Sequence, residues 1–227
     1  MALTLEWRHR IMAWRFELSK HLFQPVGSVH LQAAFTREQY HWKEALARLL
    51  FEPITPGTAW GGKWVYGWFK GELTLPDGLE GEMIALKMDV GAESAVYING
   101  DYTGAVDEHH QALIISDGAQ GGETYSILLE AYAGHGPREW RSGPTPPDRE
   151  TVPEPPETQC ALGESYFGIW QEGAFQLMLD VETLWEVREN LDEDSLRVME
   201  IDEGLKDFTL IADFEQPRQQ VLSSLQA

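Results

Sequence analysis

The sequence has little cysteine and no long apolar run. Its 227 residues include one cysteine, Cys160, so neither an internal disulfide nor a cysteine-based zinc site can form within one chain. No segment approaches the ~20 apolar residues that a membrane-spanning helix needs. The first twenty residues carry charges throughout and lack the apolar core of a secretory signal. We therefore expect a soluble protein of the cytoplasm.

Basic residues are scarce. Lys and Arg total 17 against 37 Asp and Glu, which gives a formal net charge of −20. Nucleic-acid binding requires a basic surface, and anionic membranes attract one, so neither is an expected partner. The charge is uneven, because residues 1–48 carry a net +3 whereas residues 186–215 carry a net −8. Hydrophobic residues make up 43% of the chain and aromatic residues 11%, which suffices for a sizeable core.

The first part of the chain has a helical pattern. Apolar residues at near-helical spacing predict a first helix, which Pro25 and Gly27 end. A second helix is predicted from Thr36, whose hydroxyl can form a capping box with Gln39. Together these elements predict a helical lead-in over residues 1–58.

The middle of the chain has a strand pattern. Runs such as KWVYGWFKGELTLP and TYSILLEAY are rich in aromatic and β-branched residues, and the connections between runs are too short for parallel crossovers. The Asn99-Gly100 pair predicts a two-residue type I′ hairpin turn. We expect a mainly β protein, with a jelly-roll, galactose-binding-like antiparallel β-sandwich over residues 59–173.

One stretch of this middle region is rich in proline. Residues 134–158 hold seven of the twelve prolines, and the aromatic run SYFGIW that follows them predicts a return strand. If that strand pairs with the main sheet, the proline-rich stretch is an excursion within the sandwich rather than a domain boundary.

Helical spacing returns near the C-terminal end. An apolar face begins at Phe175, and a further helix is predicted from Ser195 to Ile211 although Gly204 weakens it. Residues 174–227 are thus expected to form an acidic helical segment. The abrupt end VLSSLQA leads us to expect a longer chain.

No motif predicts catalysis in this chain. The nucleophile elbow G-x-S-x-G, the P-loop and the Rossmann fingerprint are all absent from the sequence. No spacing indicates a metal site. Cys160 has no neighbouring histidine signature and is expected to be an ordinary thiol. The acidic run Asp192, Glu193 and Asp194 is expected to cap a helix and carry surface charge.

Three residues are candidates for contacting a sugar. The indole of Trp60 could stack on a pyranose ring, and His109 or His110 in the loop DEHHQ could hydrogen-bond a hydroxyl. The alternative for both histidines is a solvated or structural loop position. For the aromatic run around Trp60 the alternative is core packing, with Trp64 and Trp68 sharing one face of a strand.

Three longer runs carry a family resemblance: GTAWGGKWVYGWFKGELTLP, IALKMDVGAESAVYINGDYTGAVDEHHQ, and ETYSILLEAYAGHGPR, followed by ETQCALGESYFGIW. In this order they resemble the N-terminal region of class II α-mannosidases of glycoside hydrolase family 38, of the bacterial and fungal vacuolar type. The resemblance covers most of the chain, from about Trp42 to Phe214.

The resemblance implies an activity that this chain does not carry alone. Such enzymes hydrolyse terminal α-linked mannose with retention, using a carboxylate nucleophile and a zinc ion in a catalytic domain further along the chain. The family's zinc-binding His-x-Asp pair is absent here. We therefore expect an inactive, non-catalytic portion, with zinc in a catalytic domain C-terminal to Ala227. The expected partners are that domain and α-mannosides or their oligosaccharides.

Two other functions remain open. The aromatic richness would also suit a free-standing jelly-roll module that binds carbohydrate without cleaving it. The acidic end, with Leu222 and Leu225 in need of an apolar partner, would suit an oligomerisation or interaction domain, and a homo-oligomer is then expected.

Overall fold

A computed structural model describes residues 3–136, 157–211, 213–216 and 218–225. The chain forms two compact units, one from Pro25–Ile169 and one that combines Met1–Gln24 with Trp170–Ala227. Apart from its two ends, the predicted proline-rich excursion lies outside the described residues.

The described residues form five helices and twelve strands. The helices are α1 (Leu5–Ser19), α2 (Trp42–Arg48), α3 (Glu172–Glu189), α4 (Leu196–Ile211) and α5 (Arg218–Leu225). The strands are β1 (Phe23–Ser28), β2 (Leu31–Thr36), β3 (Glu52–Ile54), β4 (Ala59–Trp60), β5 (Tyr66–Thr74), β6 (Ile84–Lys87), β7 (Ser94–Ile98), β8 (Asp101–Val106), β9 (Ala112–Ser116), β10 (Thr124–Tyr132), β11 (Cys160–Ala161) and β12 (Tyr166–Trp170).

Two larger sheets make up the β unit. One has the strand order β3-β2-β5-β10-β7-β8 and the other β1-β12-β6-β9, while β4 pairs with β11. Strands β5 and β10 pair antiparallel over nine residues. Their inner faces share one core, to which the first sheet contributes Leu73 and Leu129 and the second Ile84 and Leu86. The predicted antiparallel sandwich is confirmed.

Two local predictions in this unit are also confirmed. Asn99 and Gly100 have φ of 53° and 88° and join β7 to β8, as a type I′ turn requires. Strand β12 contains the run YFGIW and pairs antiparallel with β6. The chain therefore returns to the main sheets after the proline-rich stretch.

The prediction that residues 1–58 form a purely helical lead-in is wrong, because residues 23–54 contain strands as well as a helix. This stretch contains β1, β2 and β3, and its only helix in the described structure, α2, begins at Trp42 rather than near Thr36. The Thr36 hydroxyl accepts a hydrogen bond from the Glu38 N–H two residues later, which forms a turn instead of a helix cap. The capping side chain is that of His41, whose Nδ1 accepts from the Lys43 N–H.

The central strand β5 is covered on both faces. Phe69 points into the core between the sheets, whereas Trp68 points outward and packs with Ala45 of α2 and Leu128 of β10. Consecutive strand residues face opposite sides, so a helix must cover the second face of this strand. The alternative of core packing is thus confirmed for Trp68.

The helical unit has its own core. Ile11 and Leu18 of α1 pack with Val181 of α3 and Leu205 of α4. The helix predicted from Ser195 is confirmed, since the Ser195 hydroxyl accepts a hydrogen bond from the Val198 N–H at the start of α4.

The C-terminal leucines are not exposed in this unit. Leu225 packs against the apolar core of the helices, and Leu222 is partly buried. Leu225 therefore has apolar contacts within its own chain, and a homo-oligomer remains a prediction. In the described part of the chain, none of the helices combines the length and the apolar character that crossing a membrane demands.

Candidate functional site

A cleft of about 460 Å³ opens beside two loops of the β unit. One loop runs from Met88 to Glu93 and the other from Val106 to Gln111, and Ala161 completes the lining. Its polar lining is mostly acidic and includes one imidazole and one amide: Asp89, Glu93, Asp107, Glu108, His109 and Gln111. We refer to this site as the acidic cleft.

Backbone hydrogen bonds hold the loop from Met88 to Glu93 in place. The carbonyl of Val90 accepts a 2.7 Å hydrogen bond from the buried indole N–H of Trp60, and the carbonyl of Asp89 accepts one of 2.9 Å from the Gly163 N–H. The Asp89 carboxylate accepts a further bond from the Gly91 N–H, 3.0 Å long. One wall of the cleft is therefore rigidly positioned by residues distant in sequence.

Gly91 is required at the tightest point of this wall. Its φ is 77°, a left-handed conformation that glycine adopts without steric cost. A Cβ at this position would overlap the backbone of Ala161, which forms the neighbouring part of the cleft. A side chain at position 91 would therefore have to displace one wall from the other.

The second loop is organised by Asp107. Its Oδ1 accepts hydrogen bonds of 2.7 Å from the backbone N–H groups of both His109 and His110, and lies 3.1 Å from Nδ1 of His110. The His110 imidazole and the two N–H groups hold the pKa of Asp107 below its usual value. Asp107 is consequently ionised at neutral pH and unsuited to act as a general acid.

The structure separates the three predicted sugar-contacting residues. His109 lines the acidic cleft, whereas His110 is exposed and engaged by Asp107. The prediction for Trp60 is wrong: its side chain is 2% exposed and packs in the core between Phe35 and Phe69. Its ring face is not open to a ligand, and Trp60 reaches the cleft only through its hydrogen bond to Val90.

The sequence pattern missed the other half of the cleft. Asp89 and Glu93 lie in the short segment DVGAE between β6 and β7, which has the composition of a turn. Two carboxylates around a glycine in such a segment are a usable signal for a polar site. The sequence does not indicate that this turn lies beside the DEHHQ loop.

Neither a metal nor a nucleophile is assigned to the cleft. Within the described ranges, no three His, Cys, Asp or Glu side chains converge as a metal site would require. The Cys160 thiol is free, and burial raises its pKa, which lowers the thiolate fraction at neutral pH. The carboxylates can accept hydrogen bonds from a polyhydroxylated ligand, and the imidazole can donate or accept one. The cleft is therefore suited to binding rather than to a chemical step.

A second cavity lies on the outer face of the six-stranded sheet. It has a volume of about 510 Å³ and is lined by Trp42 and Leu46 of α2, Tyr97 of β7, and Lys70 and Glu72 of β5. Its walls are mainly aromatic and aliphatic, and its charged groups lie along one strand. Its lining contains none of the three candidate sugar-contacting residues, Trp60, His109 and His110.

Comparison with known proteins gives these features a family context. The family model described as the jelly-roll domain of α-mannosidase matches residues 25–152, which is more than half of the chain. α-Mannosidase 2C1 of Mus musculus is 23% identical over 204 residues, which cover 86% of this chain and 19% of that protein. The chain therefore spans about a fifth of the length of this curated relative.

Solved structures show more distant similarity. The β-glucuronidase of Ruminococcus gnavus aligns with a TM-score of 0.45 and 13% identity, covering 65% of this chain and 28% of that one. Its complex with uronic isofagomine aligns with a TM-score of 0.36 and 17% identity, over 48% and 21% of the two chains. TM-scores and identities this low carry no inference about the function of this chain. The match to the family model, on a chain that folds as an antiparallel sandwich, shows that the chain belongs to the family of α-mannosidase jelly-roll domains.

Proposed function

We propose that this chain is the N-terminal accessory region of an α-mannosidase of glycoside hydrolase family 38, which hydrolyses terminal α-linked mannose with retention. In this proposal the chain is inactive by itself and supports a catalytic domain C-terminal to Ala227. The observation that carries the proposal is the family match over residues 25–152, together with a relative about five times as long. The cytoplasmic location belongs to the same proposal, and the free thiol of Cys160 suits a reducing compartment.

The arrangement of the acidic cleft supports a binding role over a catalytic one. Retaining hydrolysis needs a carboxylate nucleophile and a second carboxyl group that acts as an acid, about 5 Å apart. Asp107 is held in its ionised form by the His110 side chain and two backbone N–H groups. Asp89 is engaged by the Gly91 N–H. Asp89 and Asp107 thus stabilise loops, whereas Glu93, Glu108 and His109 are the exposed polar groups that a ligand in the cleft would meet.

We propose that zinc binds in the catalytic domain, as the family resemblance implies. The described residues bring no suitable set of ligands together, so they do not fit a zinc ion and we derive no chemical step through it. The role left to this chain is to present its loops beside a substrate or another domain. Contact of His109 and His110 with α-mannosides remains a prediction of this proposal.

Expression of the complete reading frame tests the proposal. The protein should hydrolyse an aryl α-mannoside, release α-mannose as the first anomer detected by NMR, and lose activity to a zinc chelator. An open reading frame that continues past Ala227 should encode a His-x-Asp pair. A complete protein with no α-mannosidase activity, or one that releases β-mannose first, would contradict the proposal.

A further inference from the structure

Three aromatic side chains form a partly exposed ladder on the β unit. Tyr66 of β5 and Tyr132 of β10 are directly opposed in register, and their ring centroids are 4.7 Å apart. The Trp64 ring stacks on Tyr132 with centroids 6.4 Å apart and an interplanar angle of 26°. Trp64 is 46% exposed and Tyr132 39% exposed. We call Trp64, Tyr66 and Tyr132 the aromatic ladder.

The backbone is strained where it presents the Trp64 ring. Trp64 has a φ of 63°, a left-handed conformation that is uncommon for any residue but glycine and costly for a bulky one. The Trp64 N–H donates to the Gly134 carbonyl at 2.8 Å, and the Val65 N–H donates to the Gly62 carbonyl at 3.1 Å. The strain takes Trp64 out of the strand alternation and brings its indole beside Tyr132.

Core packing does not account for this arrangement. Trp60, Trp68 and Phe69 from the same run are all at most 2% exposed, whereas the Trp64 ring remains half in solvent. Contacts with the rings of Tyr132 and His135 and the bond to Gly134 hold the strained residue, and they leave its indole partly exposed. Such strain is typical of sites that bind a ligand.

The ladder lies next to the acidic cleft. The Tyr132 N–H donates a 3.3 Å hydrogen bond to the carbonyl of Glu93, and Glu93 lines the cleft. Burial and the neighbouring Tyr66 phenol raise the pKa of Tyr132, so its hydroxyl stays protonated and can donate a hydrogen bond. The backbone of the ladder is thus in direct contact with a residue of the cleft, and the ladder offers a phenol hydroxyl beside its exposed indole.

We propose that the aromatic ladder is a carbohydrate-binding surface that stacks a neutral hexose oligosaccharide against the exposed ring of Trp64, which Tyr132 supports. The apolar C–H face of a pyranose matches an exposed aromatic ring, and the Tyr132 hydroxyl can donate a hydrogen bond to a sugar hydroxyl. The chain's charge of −20 disfavours a nucleic acid or an anionic lipid at this surface. The choice of mannose as the hexose rests on the proposed function.

Titration of the 227-residue chain with α-mannobiose and α-mannotriose tests this inference. Binding is followed by calorimetry and by the NMR spectrum of the sugar. Stacking on an indole should move the ring C–H protons of the bound sugar upfield. We expect millimolar binding, weakened at least about tenfold by Trp64→Gly. Glycine adopts the same left-handed backbone, so this variant removes the ring without adding strain.

Two further variants keep the test sharp. Tyr132→Leu removes the middle ring of the ladder and should weaken binding to a similar extent. Tyr102→Leu removes a 63% exposed ring on β8, outside the ladder, and should leave binding unchanged. The urea midpoint of each variant is measured first, so that a loss of binding in a folded protein is assigned to the missing ring.

The outcomes separate this inference from the proposed function. Absence of binding at about 20 mM sugar, or equal binding by the wild type and Trp64→Gly, would overturn the ladder as a site. The proposal that the complete enzyme hydrolyses α-mannosides would be unaffected by that result. Conversely, binding that depends on Trp64 supports the ladder even where the complete protein fails to hydrolyse α-mannosides.

Discussion

The indole N–H of Trp60 donates a buried 2.7 Å hydrogen bond to the carbonyl of Val90. This bond joins the strand that precedes the central β5 to the loop that forms one wall of the acidic cleft. The sequence predicts Trp60 to stack on a sugar, but in the structure Trp60 is buried in the core. From there its hydrogen bond positions one wall of the cleft.

Replacement of Trp60 by phenylalanine keeps an aromatic ring and removes the donor. The Val90 carbonyl would then be buried without its partner, which costs about 1–3 kcal/mol of unfolding free energy. Urea denaturation measures this difference. Tyr102→Phe, at an exposed position, should change the unfolding free energy by less than about 0.5 kcal/mol. Equal midpoints for Trp60→Phe and the wild type would contradict the assigned role of this hydrogen bond.

Replacement of Gly91 by alanine tests the close approach of the two cleft walls. Alanine must adopt a φ of 77° and overlap the Ala161 backbone, so a loss of more than about 1 kcal/mol is expected. Gly118→Ala is the matched control, because a Cβ there meets open space and its φ lies outside the left-handed region. Similar denaturation midpoints for the two variants would show that the walls are not in contact.

The helical unit contains a buried ion pair whose removal should be costly. Arg188 Nε donates to Asp202 Oδ1 at 3.0 Å, and both side chains are 2% exposed. Asp202→Ala removes this partner while the ion pairs of Arg188 with Glu189 and Glu193 remain, so a loss of about 1.5–3 kcal/mol is expected. The exposed neighbour Glu203→Ala should have little effect. Thermal unfolding followed by circular dichroism compares them, and equal transition temperatures would contradict a structural role for the pair.

Glu130 predicts a pH dependence of stability. Burial raises the pKa of this carboxyl above its ordinary value, although the charge of His41 opposes the shift. The folded state then binds a proton more tightly than the unfolded state, so stability falls as pH rises from about 4 through the folded-state pKa. Glu130→Gln should be more stable than the wild type at pH 7 and similar to it near pH 4.

Transition temperatures between pH 4 and pH 8 measure this difference. The exposed Glu72→Gln, on the adjacent strand β5, is the control and should follow the wild type across the range. A Glu130→Gln variant that is less stable than the wild type at pH 7 would show that the carboxylate is favourably paired rather than desolvated.

The sequence predicted correctly those features that depend on a few consecutive residues. The Asn99-Gly100 turn needs two residues that tolerate positive φ, and the structure has it at that position. Strands β1 and β3 were missed because Pro25, Gly27 and Pro53 resemble helix breakers within a helical pattern. Besides β3, strand β2 pairs with β5, whose residues lie 30 to 40 positions later, and nothing local specifies that pairing.

The same distinction applies to the candidate site. The DEHHQ loop was recognisable from its composition, but its meeting with the loop at Asp89 depends on how the sheets pack. Trp60 was misassigned because its burial depends on Phe35 and Phe69 rather than on its own neighbours. Trp64 was placed by strand alternation, and its left-handed backbone removes it from that alternation.

Hydrolysis of an aryl α-mannoside by the purified 227-residue chain, with added zinc, tests the central claim most directly. The chain is held to be a folded, non-catalytic jelly-roll region. We therefore expect no release of the aryl group above the rate in buffer, by a preparation whose cooperative urea transition shows that it is folded. Zinc-dependent turnover that a chelator abolishes would contradict this account.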